Sequence, residues 1–197
     1  MKLLLVVTLS AAIPAACIAE TLDPPTVTPL TVDGKFHYHV KRTVSLWPLV
    51  TSAAYAGFLQ ETNSPKEWGQ GGSAYGKRFG SVVAASGIYS ALAFGLDSTL
   101  HQDPRYYGST GKGFFHRAGH AFRGTILTRT DSGGETLSIW RIGAAYGSAY
   151  LAKTWYPPRS HRLRLGVLEG SYRIGADLLA NLASEFWPDI KHKVFHR

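Results

Sequence analysis

The sequence predicts a mainly α protein: one helical-bundle domain with Gly/Ala-faced helices, preceded by a signal peptide and a Pro/Thr-rich leader. Three observations carry that expectation. Two stretches of 18 residues, Thr43 to Gln60 and Phe79 to Leu96, contain no charge. In the second, Gly80, Ala84, Gly87, Ala91 and Gly95 recur at spacings of four, three, four and four, the period of one helix face. Sustained two-residue alternation, the mark of half-buried strands, is scarce.

The 197 residues are 45% hydrophobic and only 17% charged, with 21 Gly, 10 Pro and a net charge of +8. A chain this apolar has material for a core, which excludes full-length disorder. One cysteine, Cys17, excludes a disulfide scaffold.

Met1-Lys2 and the apolar run Leu3 to Leu9 precede Pro14 and the small residues Cys17-Ile18-Ala19, the pattern of a secretory signal cut after Ala19. Cleavage before Cys17, with lipid on its thiol, is the competing reading. Ala16 suits it, and Pro14, at the position that prefers leucine, does not. Loss of Lys2 with the signal leaves 20 basic and 13 acidic residues, net +7. The expectation is export to the periplasm or cell envelope. A membrane surface or an anionic envelope polymer is the expected kind of partner, with self-association as a second mode. Nucleic acid is not an expected partner, since no Lys/Arg stripe interleaves with aromatics.

Glu20 to Gly34, with three prolines among threonines, reads as an extended leader before a domain from Lys35 to the end. Phe36, Tyr38 and Val40 alternate with His37, His39 and Lys41, one isolated strand candidate with both histidines on one face. Helices are then expected from Thr43, from Phe79, from Phe114 to Thr128, from Ile139 to Lys153 and from Leu165 to Phe186. The Asp131 to Glu135 turn should place Glu135 in the first turn of the element that follows. Gly143 and Gly147 repeat the four-residue spacing, Tyr156-Pro157-Pro158 ends one helix and Pro188 ends the last. Small residues on one stripe cost helix propensity, about 1 kcal/mol per glycine. They make sense where another backbone packs close. The two uncharged stretches are also just long enough to cross a bilayer. A water-soluble bundle, a membrane-embedded hairpin from Thr43 to Leu96 and an outer-membrane barrel therefore all remain open. Arg162-Leu163-Arg164-Leu165 is the only other alternating segment to favour the barrel.

Candidate chemistry is sparse. His101, Asp103 and Arg105 share the polar loop after the glycine-striped helix, where His and Asp two apart can converge as general acid and base. The plainer alternative is a structural knot, Arg105 pairing with Asp97 or Asp103. His116 and His120 are four apart, as are His192 and His196. A zinc peptidase needs His-Glu-x-x-His, and Arg117 follows His116 instead. Asp131 with Glu135, or Glu169 with Asp177, could form a glycosidase pair, although both sit where helix caps and surface ion pairs belong. Gly71-Gly72-Ser73-Ala74-Tyr75 misses the nucleophile elbow at its last position, and Gly108 to Gly113 lacks the first glycine and the Ser/Thr of a phosphate loop. No cofactor is expected.

The strings Glu67-Trp68-Gly69-Gln70-Gly71, Tyr75-Gly76-Lys77-Arg78-Phe79-Gly80, His101-Gln102-Asp103-Pro104-Arg105-Tyr106, Thr128-Arg129-Thr130-Asp131-Ser132-Gly133-Gly134, Trp155-Tyr156-Pro157 and Glu185-Phe186-Trp187-Pro188-Asp189-Ile190 span most of the chain after Gly34. In them the sequence resembles a family of exported proteins from soil bacteria to which no activity is assigned. The resemblance implies a single domain from about Lys35 onward and supplies no catalytic residue. The favoured expectation is an exported, non-enzymatic envelope protein, membrane-associated or self-associating through its small-residue helix faces. The rival is an envelope hydrolase or metal-binding enzyme using His101, Asp103 and Arg105, with His116 and His120 as candidate metal ligands.

Overall fold

The computed structural model describes residues 28–158 and 163–195, with side chains of the last helix as far as His192. Six helices and one two-stranded hairpin make up these residues, so the protein is mainly helical. The signal segment with Cys17, the leader up to residue 27 and His196 lie outside the described residues.

Helix α1 spans Val32–Val44, where the alternation of Phe36, Tyr38 and Val40 suggests a strand. Its ends explain the difference. The Thr31 hydroxyl accepts from the Gly34 N–H at 3.1 Å, Asp33 lies in the first turn, and Lys41 and Arg42 lie in the last. Each complements an orphaned helix end or its dipole. The helix therefore takes in Val32 to Gly34, which read as leader. Its rotation separates the two histidines: His39 is buried, while His37 is exposed beside Asp33.

Ser45 separates α1 from α2, Leu46–Glu61. Pro48 falls in the first turn of α2, where a missing N–H costs nothing. A single 3₁₀ turn, Lys66–Trp68, leads to α3, Gly72–Thr99, the 28-residue centre of the bundle. Helix α3 packs on α1, α2 and most extensively on α5, Ile139–Ala152. Between them lies a small core of Tyr89, Ala93, Trp140, Ala144 and Ala145, flanked by Leu92, Leu96 and Ile174.

Helix α4, Phe114–Ile126, stops two residues before the expected Thr128, and the chain turns into β1, Leu127–Arg129. Strand β2, Glu135–Leu137, returns antiparallel with Arg129 opposite Glu135, so Glu135 sits in a hairpin and not in a helix. Gln102 clasps this hairpin from the preceding loop. Its amide donates to the Leu137 carbonyl at 2.8 Å and accepts from the Trp140 N–H at 3.2 Å.

Helix α6 runs unbroken from Leu163 to Phe195, with Pro188 inside it. The alternating Arg162 to Leu165 segment is thus helical from Leu163. Proline removes one backbone bond, yet Glu185 and Asp189 on either side both pair with Arg117 of α4. Those ion pairs hold the turns across Pro188.

The glycines divide into two groups. A Cβ on Gly143 or Gly147 would lie 2.8 Å from Leu96 or 2.9 Å from Leu92, so α5 approaches α3 through glycine gaps. On α6, a Cβ at Gly166 or Gly170 would strike the Tyr150 and Tyr146 rings at 2.4 and 2.3 Å, a fit that sequence spacing did not single out. The α3 stripe behaves differently. Gly80, Ala84, Ala91 and Gly95 are exposed, and a Cβ on Gly80, Gly87 or Gly95 meets nothing within 4 Å. No backbone of the described residues packs on that face.

Candidate functional site

The loop after α3 is set by His101 at φ 52°, a left-handed turn that swings the chain back along the hairpin. The His101 ring is exposed and sits 3.1 Å from the Ser98 carbonyl. Asp103 points elsewhere and is almost fully buried. Its carboxylate accepts from the Arg105 backbone N–H at 2.9 Å, the Arg105 guanidinium at 2.6 Å and the Tyr107 hydroxyl at 2.7 Å. Its N–H donates to the Arg129 carbonyl at 2.8 Å and its carbonyl accepts from Thr128 at 2.6 Å. Burial would raise the Asp103 pKa; the bonds from Arg105 and Tyr107 win and hold it below the usual carboxylate range. Burial and the same carboxylate push the Tyr107 hydroxyl up. His101, Asp103 and Arg105 thus do not converge on a common point: Asp103 and Arg105 form a closed structural knot and His101 lies outside it.

The histidines of α4 also part company. The His116 ring meets the Ser109 hydroxyl at 3.1 Å, whereas His120 meets Glu185 of α6 at 3.1 Å. Glu185, buried, also accepts from the Tyr106 hydroxyl and from the Ser109 N–H at 2.8 Å, with Arg117 at 3.5 Å. Among the described residues no group of three His, Cys, Asp or Glu side chains is arranged to hold a metal. Glu185 instead fastens loop 106–109 and α4 onto α6.

The carboxylates read as glycosidase pairs each commit to a different cation. Asp131 pairs with Lys35, Glu135 with Arg123, Glu169 with Lys153 and Asp177 with Arg42.

Arg123–Glu135 lies at the surface and Glu169 is exposed, whereas Lys35–Asp131 and Arg42–Asp177 belong to a polar interior that sequence spacing missed. Lys35 donates to the Asp97 carbonyl at 3.1 Å and to Asp131 at 2.7 Å, and His39 lies 2.6 Å from the Asp97 carboxylate. One turn further, Arg42 meets Asp177 at 2.7 Å, and Tyr89 donates to the same carboxylate at 2.9 Å. Arg141 lies 3.6 Å from Asp177 and donates to the Thr125 carbonyl at 2.6 Å. The legible signal was on α1: Lys35, His39 and Arg42 fall on one helical stripe.

The opposite stripe of α1 is Val32, Phe36, Val40 and Val44, and all four are exposed. Large apolar side chains are exposed elsewhere too, alongside exposed charges such as Lys41, Glu61 and Arg123. Eight of the ten described buried hydrophobic residues are alanines, whereas 22 large hydrophobic residues are exposed, Phe115 at 88%. Helix α3 is long and apolar enough to cross a membrane, and only 22% of its most apolar window is buried.

Comparison with protein-family models, curated proteins and solved structures finds no match in any of the three.

Proposed function

We propose that the protein is an exported, non-enzymatic envelope protein whose bundle is seated in a lipid bilayer, apolar side chains outward and paired charges inward. The exposed large apolar side chains, together with the buried charged groups, carry this reading. In water, large contiguous apolar patches are costly, although single exposed apolar side chains are ordinary. In hydrocarbon, exposed Val, Phe and Leu cost nothing, while ionised groups face the bundle interior and pair there, as Arg42 does with Asp177. At 28 residues α3 is about 42 Å long, more than the ~30 Å hydrocarbon layer requires. The +7 charge expected after signal removal adds attraction to anionic lipid, and the Met1 to Ala19 pattern supports export.

The test is flotation of the purified mature protein with vesicles of neutral phosphatidylcholine, formed by removing detergent in its presence. Seating in the bilayer predicts co-flotation that survives high salt and alkaline carbonate. Recovery of a monodisperse protein in the lipid-free fraction would contradict it.

The rival enzymatic reading has its best support at His120, which Glu185 orients while the ring stays partly exposed. His101, whose ring hydrogen bond is to the Ser98 carbonyl, supports it less.

A further inference from the structure

The 3₁₀ turn, the start of α3 and the turn that follows α5 border an open groove of about 480 Å³. Its floor is Gly76, Gly80 and Ala84, successive turns of the exposed face of α3, and a Cβ on either glycine would meet nothing within 4 Å. Trp68 and Trp155 form the walls. Both are held in place. The Trp155 indole donates to Ser81 at 3.2 Å, and the Trp68 ring lies 5.0 Å from that of Tyr156.

The two neighbouring cations at positions 77 and 78 face different tasks. Arg78 is fully buried and gathers the loop before α3, donating to the carbonyls of Ser64 at 2.9 Å, Pro65 at 3.1 Å and Gly69 at 3.0 Å. It thereby fixes the segment that presents Trp68. Lys77 is exposed on the groove and has neither hydrogen bond nor ion pair among the described residues. Among the described residues that line the groove there is no carboxylate. The N-terminus of α3 also lacks a side-chain cap, so its unpaired N–H groups add positive potential at this end.

We propose that this groove binds an anionic phospholipid, its phosphate on Lys77, its glycerol region between the tryptophans and the start of an acyl chain on the glycine floor. The charge is complementary, and paired tryptophans beside a lysine suit the level of lipid head groups, where indoles are enriched. The floor fits a chain because it has no side chains: beyond Ala84 the same face continues through Gly87 and Ala91 to Gly95, about 22 Å from Gly80 along the axis. That length matches an extended acyl chain, which gives the stripe an occupant. The assignment rests on the bilayer reading above.

Short-chain phosphatidylglycerol and short-chain phosphatidylcholine, titrated as monomers into the mature protein in neutral detergent, test the groove without requiring a bilayer. Saturable change in tryptophan emission is expected with phosphatidylglycerol, at about tenfold lower concentration than with phosphatidylcholine. Lys77→Gln should abolish that preference, Gly80→Leu should block both lipids by filling the floor, and Lys112→Gln, an exposed lysine elsewhere, should change nothing. Equal response to the two lipids, or equal loss in Lys77→Gln and Lys112→Gln, would overturn the proposal. Saturation by glycerol phosphate as readily as by the lipid would overturn the lipid assignment. Failure here with successful vesicle flotation removes the groove alone; failed flotation removes the bilayer reading.

Discussion

The guanidinium of Arg42 meets the carboxylate of Asp177 at 2.7 Å across 135 residues of chain, tying the first helix of the bundle to the last. Tyr89 of α3 donates to the other oxygen of the same carboxylate, so one acidic side chain gathers three helices. A pair taken out of water this way specifies an arrangement more than it stabilises one, because desolvation offsets most of the attraction.

Removing one partner should therefore be worse than removing both. Arg42→Met leaves Asp177 short of its main cation and should destabilise by less than the ~3–5 kcal/mol of a fully buried pair, because the Arg42 side chain is 30% exposed and Tyr89 still donates to Asp177. Arg42→Met with Asp177→Leu should recover much of that loss. Chemical denaturation in neutral detergent measures the cycle, and additive losses would mean that the two side chains do not act as a pair.

The glycines should separate into two classes by stability. Gly170→Ala pushes a methyl into the Tyr146 ring and should cost about 1–3 kcal/mol. Gly80→Ala meets open space on an exposed helix face and should gain up to about 1 kcal/mol. Thermal unfolding of the two variants decides. Destabilisation by Gly80→Ala would show that something else packs on the α3 stripe.

Asp103 should matter most near neutral pH. Its pKa is lowered in the folded state, so it contributes stability above the ordinary carboxylate value of about 3.9 and loses it as pH falls through the folded value. Asp103→Asn should be less stable than the native protein at pH 7, and the gap should close only in acid below pH ~4. A gap that persisted unchanged in strong acid would mean that the loss is one of shape and not of charge.

His101→Asn, which also tolerates the left-handed φ of 52°, should leave folding stability within about 0.5 kcal/mol, since the exposed ring's hydrogen bond is to the Ser98 carbonyl. Glu185→Ala, which strips Tyr106, Ser109, Arg117 and His120 of a shared acceptor, should destabilise strongly. Circular dichroism melting compares them. Equal effects would revive a role for His101 beyond the loop surface.

Much of the helical layout was legible because long uncharged stretches and glycine spacing reflect a period set locally by the backbone. What escaped depended on partners far along the chain. The alternation at Phe36, Tyr38 and Val40 reads as a strand unless the Thr31 cap and the buried stripe of Lys35, His39 and Arg42 are weighed with it. Pro188 reads as a terminator because the two ion pairs to Arg117 that bracket it come from α4. The α3 stripe was visible, yet composition cannot say whether a flat face meets protein or lipid. The polar loop offered the same ambiguity. Asp103 and Arg105 stand two apart in sequence, but only the fold shows His101 turned away from them. The network around Glu185 joins residues that no local spacing connects.

Extraction of envelope pellets from the native host with high salt, then alkaline carbonate, then detergent tests the bilayer reading most directly. Done in parallel on the Cys17→Ser protein, it also removes any contribution from a lipid anchor. Release of both proteins by detergent alone is the expected result. Release by salt or carbonate, or recovery in the soluble periplasm, would contradict a bundle that turns its apolar side chains to lipid.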